Sequence, residues 1–266
     1  MLEAMPLSNS QKNEIETILS GMLTRKLSEY ARETSVMPFL DRLMAPERVA
    51  LFSFIQSVAT SLGISIYEQM SKICAGPNSQ EVENHVRIGG TLNDAQNAGI
   101  KRIVGELRRE VRRPNKSAET REILSISARG GVYEKNNDIV DFKMKRDGEE
   151  YYFELKTAKP NIGNFVSYKE ELLQWVARKQ KPVHTYLVFP YNPYAPEPYQ
   201  RFTQLNMIDE KHELLVGKDY WDFLGGFGTY EELLAIFDRV GKNYKDRIAK
   251  KMDEIGSTRK SMTSES

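Results

Sequence analysis

A single cysteine, Cys74, stands in a chain of 266 residues. No disulfide can form within it, and the expected setting is the reducing cytoplasm. Histidine is nearly as scarce. His85, His184 and His212 are the three, and neither they nor Cys74 fall at the short spacings of a zinc site. Nowhere do about 18 apolar residues follow one another, so no membrane span is expected. The first residues lack the basic stretch followed by an apolar one that marks a secretory signal. An excess of charge is also missing: 38 Lys and Arg face 37 Asp and Glu, a net charge of +1. Any anion-binding surface must therefore come from local clustering. No internal repeat is found. What remains is a chain with 40% hydrophobic residues, enough to pack a core and too many for global disorder. Its length suits one large domain or two small ones.

The stretch from Asn137 to Lys159, NDIVDFKMKRDGEEYYFELKTAK, carries the most information. Asp147-Gly148 is a strong two-residue hairpin signal, because both residues tolerate positive φ. The arms are Asp138–Arg146 and Tyr151–Thr157. Glu154 and Lys156 are two apart and leave the strand on one face. With a two-residue loop, Arg146 pairs with Glu149, and counting outward puts Asp141 opposite Glu154. Directly opposed residues have Cβ atoms about 4.5–5.5 Å apart, so both carboxylates can hold one hard cation such as Mg²⁺. Lys156 is then placed to hold a water or to offset charge on a phosphate. Asp138 competes as the first acid; it lies three residues earlier and on the other face, and a bulge or longer loop would favour it. The bland alternative is a surface hairpin of alternating charges.

Around the hairpin the chain reads as follows. Residues 1–115 form a mainly helical region suited to recognition or dimerisation. It includes an apolar run from Val49 to Ile73 with Gly63 as its weak point, and a coil over Gly76–Asp94 whose His85 and Arg87 either reach a substrate or, the favoured reading, are solvated. The helix over residues 95–113 gathers Lys101, Arg102, Arg108, Arg109, Arg112 and Arg113, with Lys116 nearby. A solvated face and a phosphate-contacting face are both open readings. A short helix from Ser117, a strand into the hairpin, a helix over Val166–Lys179 and a buried strand over Val183–Phe189 complete a core of residues 116–190. Residues 191–255 are read as a loop and helices packed on that core, with Thr229 and Glu232 as a capping box. The tail, 256–266, is read as flexible. The class is α/β (α+β), with a mixed central sheet flanked by helices.

At Asp141 (or Asp138), Glu154 and Lys156, set on a hairpin between a helix and a helix–strand pair, the chain resembles the PD-(D/E)xK nuclease superfamily. No proline precedes either aspartate; Val140 and Asn137 stand there. The resemblance implies a restriction-endonuclease-like core, with Asp141 and Glu154 as Mg²⁺ ligands and Lys156 as the catalytic ammonium. Within the superfamily the chain is similar to type II restriction endonucleases. The run Lys156–Asn161 and the following Gly163-Asn164-Phe165 resemble the group typified by TdeIII and MjaII, which cuts at GGNCC. That likeness implies double-stranded DNA as partner, a homodimer reading a (pseudo)palindrome, 5′-phosphate products, and Lys159 and Asn161 beside Arg108, Arg109, Arg112 and Arg113 as DNA contacts. Some relatives add an acid from the preceding helix, where Glu119 and Glu122 stand, or a glutamine from the following helix, where Gln174 stands. Two rivals remain open at this point: a repair or junction-resolving nuclease of the same fold, and a non-catalytic DNA-binding protein that has kept the hairpin.

Overall fold

The computed structural model describes residues 7–31, 37–132, 138–156, 162–200 and 206–263. In chain order the elements are α1 (Asn9–Glu29), α2 (Leu40–Leu43), α3 (Pro46–Ser61), α4 (Tyr67–Ala75), β1 (Glu81–Arg87), α5 (Asp94–Arg108), α6 (Lys116–Ser125), β2 (Ile139–Arg146), β3 (Glu149–Leu155), α7 (Ile162–Lys179), β4 (His184–Phe189), α8 (Glu210–Glu213), β5 (Leu214–Val216), α9 (Lys218–Gly225) and α10 (Thr229–Thr263). They divide into two units. One runs from Ser71 to Tyr230; the other joins Leu7–Met70 to the chain from Glu231 onward.

The first unit is built on a five-stranded sheet in the order β1-β2-β3-β4-β5. β1, β2 and β3 are antiparallel neighbours, whereas β3, β4 and β5 run parallel. The mixed sheet expected from the sequence is thus present. Asp147 and Gly148 both have positive φ, 53° and 83°, which suits a tight hairpin turn. Arg146 pairs with Glu149 and Phe142 with Phe153, the register of a two-residue loop. Alternation along β3 gives its two faces different partners. Tyr152 meets Trp175 of α7, while Tyr151 and Phe153 meet Phe223 of α9. Ile100, Ile103 and Leu107 of α5, Ile123 of α6, and Leu172, Trp175 and Val176 of α7 share one buried core with Tyr152, Leu187 and Phe189 of the sheet. The helix assigned from sequence to the N-terminal region, now α5, therefore packs into the same core as the hairpin.

Two readings change. The expected coil over Gly76–Asp94 contains β1, an edge strand. Its sequence, EVENHVR, has only two apolar residues, because edge strands carry charge that discourages pairing with other chains. Glu81 and Glu83 pair across to Lys143 on β2, at 2.8 and 3.6 Å. The expected capping box at Thr229 does not form. Thr229 Oγ1 donates to the Gly226 carbonyl at 2.7 Å, and Glu232 accepts instead from the Leu7 N–H and Lys12, both at 2.6 Å.

In the second unit, Ile15, Leu19 and Met22 of α1 are buried, as are Val49, Ala50 and Phe54 of α3 and Leu233, Ile236 and Val240 of α10. Tyr30 packs edge-on against Phe54 at 5.1 Å, and Tyr244 shares a hydrogen bond with Thr24 at 2.7 Å. Gly63, the weak point of the long apolar run, falls in a π-helical turn, Leu62–Ile66, that joins α3 to α4.

Candidate active site

The hairpin count extends past its last paired residues: one step beyond Phe142 and Phe153 come Asp141 and Glu154. The Leu155 N–H donates to Asp141 Oδ2 at 2.8 Å, which fixes that carboxylate at the end of the β2–β3 ladder. Lys156 Nζ donates to the same oxygen at 3.4 Å and forms an ion pair with Glu154. Glu154 and Lys156 share parity with Tyr152, so they face α7. There the Lys156 ammonium lies 5.8 Å from the centre of the Tyr168 ring.

From α7 comes a residue that the sequence reading missed. Glu171 comes close enough to Glu154 for the two carboxyl groups to perturb each other's titration. Burial pushes Glu154 from 4.5 to about 8, and the charges of Asp141 and Glu171 add to the rise against the pull of Lys156. Burial also lifts Glu171 to about 7, with Asp141 adding to the rise and Lys156 opposing it. For Lys156, burial disfavours the charge, but Glu154 and Asp141 outweigh it and the pKa is raised. The sequence signal for Glu171 was its phase. It lies three residues after Tyr168 and four before Trp175, beside the buried stripe of α7.

His85, read from the sequence as either substrate-reaching or solvated, also comes to this place. β1 pairs Asn84 with Phe142 and Val86 with Val140, so His85 stands opposite Asp141. Its φ is 52°, unusual for a residue in a strand. A ring nitrogen lies within 4.8 Å of an Asp141 carboxylate oxygen.

The remaining candidates are distributed unevenly. Asp138 is buried, and its Oδ2 accepts from Arg87 at 2.7 Å; the carboxylate beside Lys156 is that of Asp141. Glu119, weighed as an extra acid, is buried against Lys169 at 2.5 Å, and Glu213 completes that cluster at 2.5 Å. Glu122 pairs with Arg102 and with Arg112, the latter at 3.0 Å. Arg112 also reaches Glu106 at 3.2 Å, so two cations of the basic helix are engaged by acids. Arg108, Arg109 and Arg113 are exposed where α5 ends. Gln174 lies one turn beyond Glu171 on α7, with Oε1 buried. Lys159 and Asn161 lie outside the described residues.

The donor set suits a hard divalent cation. Three carboxyl groups crowd one place; burial, with the nearby negative charges adding to it, keeps protons on Glu154 and Glu171 near neutrality, and a divalent charge relieves that penalty.

An α/β fold with acids and a lysine gathered at the end of a hairpin defines a nuclease-like enzyme. The family model type II restriction endonuclease, HinfI, matches residues 7–241, and the chain belongs to that family of restriction endonucleases. The run after Lys156 had suggested TdeIII and MjaII; the matching model is that of HinfI. Two curated relatives come from Herpetosiphon aurantiacus. The type II restriction enzyme HgiCII is 26% identical over 273 residues, covering 93% of this chain and 100% of the relative. The type II restriction enzyme HgiEI is 25% identical over 274 residues, covering 93% and 99%. No solved structure matches the chain. Among the described residues no helix is long and apolar enough to cross a membrane.

Proposed function

We propose that the chain is a Mg²⁺-dependent type II restriction endonuclease of the PD-(D/E)xK kind. In this reading it works in the cytoplasm as a homodimer and hydrolyses both strands of duplex DNA at a short (pseudo)palindromic site. GGNCC is the first sequence to test. The observation that carries the reading is the convergence of Asp141, Glu154 and Lys156 in a member of this family.

Asp141 and Glu154 would hold the cation, with Glu171 completing the carboxylate set. Bound there, Mg²⁺ supplies the charge that activates water and offsets negative charge building on the phosphate. Lys156, kept protonated by its acidic neighbours, orients the attacking water and donates to a non-bridging phosphate oxygen. The water oxygen forms the new bond to phosphorus and the 3′ oxygen leaves, so the product carries a 5′-phosphate. Arg108, Arg109 and Arg113, exposed at the end of α5, would contact phosphates, and Lys159 and Asn161 would contact DNA as the resemblance to type II restriction endonucleases implies.

The test is a plasmid digest with Mg²⁺ and sequencing of the fragment ends. Discrete ends at one short site support restriction. Smearing or structure-selective nicking points to a repair or resolving enzyme, and absence of cutting with any divalent cation rejects the catalytic reading. Lys156→Ala is expected to lower cutting by at least about 10²-fold while retaining DNA binding in a gel-shift assay with Ca²⁺.

A further inference from the structure

Two of the chain's three histidines are engaged away from the carboxylates. His184 stacks on Tyr151 at the start of β4, with ring centres 4.5 Å apart. His212 Nδ1 lies 2.9 Å from an Asp209 oxygen beside α8. His85 is the one that reaches Asp141. Its backbone departs from the strand around it. Asn84 pairs with Phe142 and Val86 with Val140, so the β1–β2 ladder holds on both sides. Between them His85 adopts a φ of 52°, in the left-handed region that a strand residue other than glycine rarely enters. Such conformations persist where the surroundings impose them, and they gather at active sites and ligand clamps. The side chain is exposed, so the departure gains no core packing for the ring.

The spacing suits coordination. Two donor atoms that each bind one cation at about 2.0–2.2 Å lie no more than about 4.4 Å apart. The His85 nitrogen and the Asp141 oxygen, within 4.8 Å of each other, are spaced on that scale before any ion enters. Glu154 and Glu171 feel the same Asp141 charge from the other side. The donors gathered there are thus carboxyl groups and one imidazole. Carboxylate oxygens suit Mg²⁺, which takes oxygen ligands. An imidazole nitrogen adds affinity for first-row transition ions, more for Co²⁺ than for Mn²⁺.

We infer that His85 is a nitrogen ligand of the divalent cation held at Asp141, and that it extends the site from Mg²⁺ to Mn²⁺ and Co²⁺. This role rests on the metal-dependent reading above, which puts a cation at the carboxylates.

The test identifies the ligand without needing cleavage. Mn²⁺ is the probe, because its pulsed electron paramagnetic resonance signal is modulated by a bound imidazole nitrogen. The full chain loaded with Mn²⁺ is expected to show that modulation, and His85→Gln and His85→Ala are expected to lose it. The double variant His184→Gln/His212→Gln should keep it. Wild type grown on histidine carrying heavy nitrogen should shift the modulation, which reads the ligand with no substitution at position 85. By calorimetry, His85→Ala is expected to weaken Co²⁺ binding by at least about tenfold and to leave Mg²⁺ binding nearly unmoved. A wild-type signal without nitrogen modulation, or a modulation that survives in a His85 variant, would overturn the role of His85. Asp141→Asn separates this role from the reading beneath it. If wild type binds Mn²⁺, Asp141→Asn does not, and no nitrogen signal is seen, His85 falls and the carboxylate site stands. A wild type that binds no divalent cation sinks the metal-dependent reading and His85 with it. A nitrogen signal in a chain that cuts no plasmid upholds the ligand and rejects the restriction function.

Discussion

Replacing Glu154 by glutamine is expected to make the metal-free protein more stable at pH 8 while ending its activity. In the folded chain Glu154 titrates at about 8 against an ordinary 4.5. Above about pH 4.5 the unfolded chain has lost this proton, while the folded chain keeps it until about pH 8. Through that window the folded state binds more protons than the unfolded one, so stability falls as pH rises. Each pKa unit is worth about 1.4 kcal/mol, which sets a ceiling of about 5 kcal/mol over the span. Glutamine is neutral throughout and escapes the loss. Part of the gain is returned, because Lys156 loses an ion-pair partner and keeps only Asp141 and Glu171 beside it. A net gain of about 1–3 kcal/mol remains at pH 8. For a chain of this size that raises Tm by roughly 3–10 °C. The assay is thermal unfolding by circular dichroism in EDTA at pH 5 and pH 8. The variant should match wild type at pH 5 and exceed it at pH 8. Saturating Mg²⁺ should raise wild type and leave the variant nearly unmoved. A variant less stable than wild type at pH 8, or one shifted equally at both pH values, would refute the account of a site strained by its own carboxylates.

Asp141→Asn is expected to lower cutting by at least about 10²-fold; Asp138→Asn should cut within about tenfold of wild type but lose about 1–2 kcal/mol in urea unfolding, because it breaks an ion pair whose arginine is half-exposed. Equal loss of cutting in the two variants would contradict the assignment of the first acid. Lys169→Met leaves Glu119 and Glu213 buried without a counter-charge and should cost about 3–5 kcal/mol in urea. The triple variant that also carries Glu119→Gln and Glu213→Gln should recover most of that loss, and failure to recover would mean the lysine acts through something other than charge.

The hairpin was legible because everything that places it is local. Asp147-Gly148 sets the turn, the turn sets the register, and the register sets Asp141 opposite Glu154. α7 and β4 were legible from periodicity for the same reason. β1 was not, since a strand at a sheet edge needs few apolar residues and its pairing partner lies more than fifty residues away. The basic cluster misled for a related reason. Arg102 and Arg112 are positive in the sequence, but the fold brings Glu122 from the next helix onto both, and that neutralisation is a tertiary fact. Glu171 stood in plain view beside Glu170; its phase with Tyr168 and Trp175 sets it beside the buried stripe of α7, but that this stripe meets the end of the hairpin is a tertiary fact.

The buried lysine explains how α7 makes that choice. Successive residues of a helix turn by about 100°, so Lys169 and Glu171 point about 200° apart. Lys169 is fully buried and held by Glu119 from α6 and Glu213 from α8. Turning α7 to offer Glu170 instead would pull the ammonium out of that cluster and leave charges in the core without partners. The cluster sets the rotation of the helix that delivers Glu171 to Glu154. Glu119, a candidate before the hairpin, and Glu171, which the sequence did not single out, are thus linked through one lysine: the first anchors the helix and the second meets Glu154.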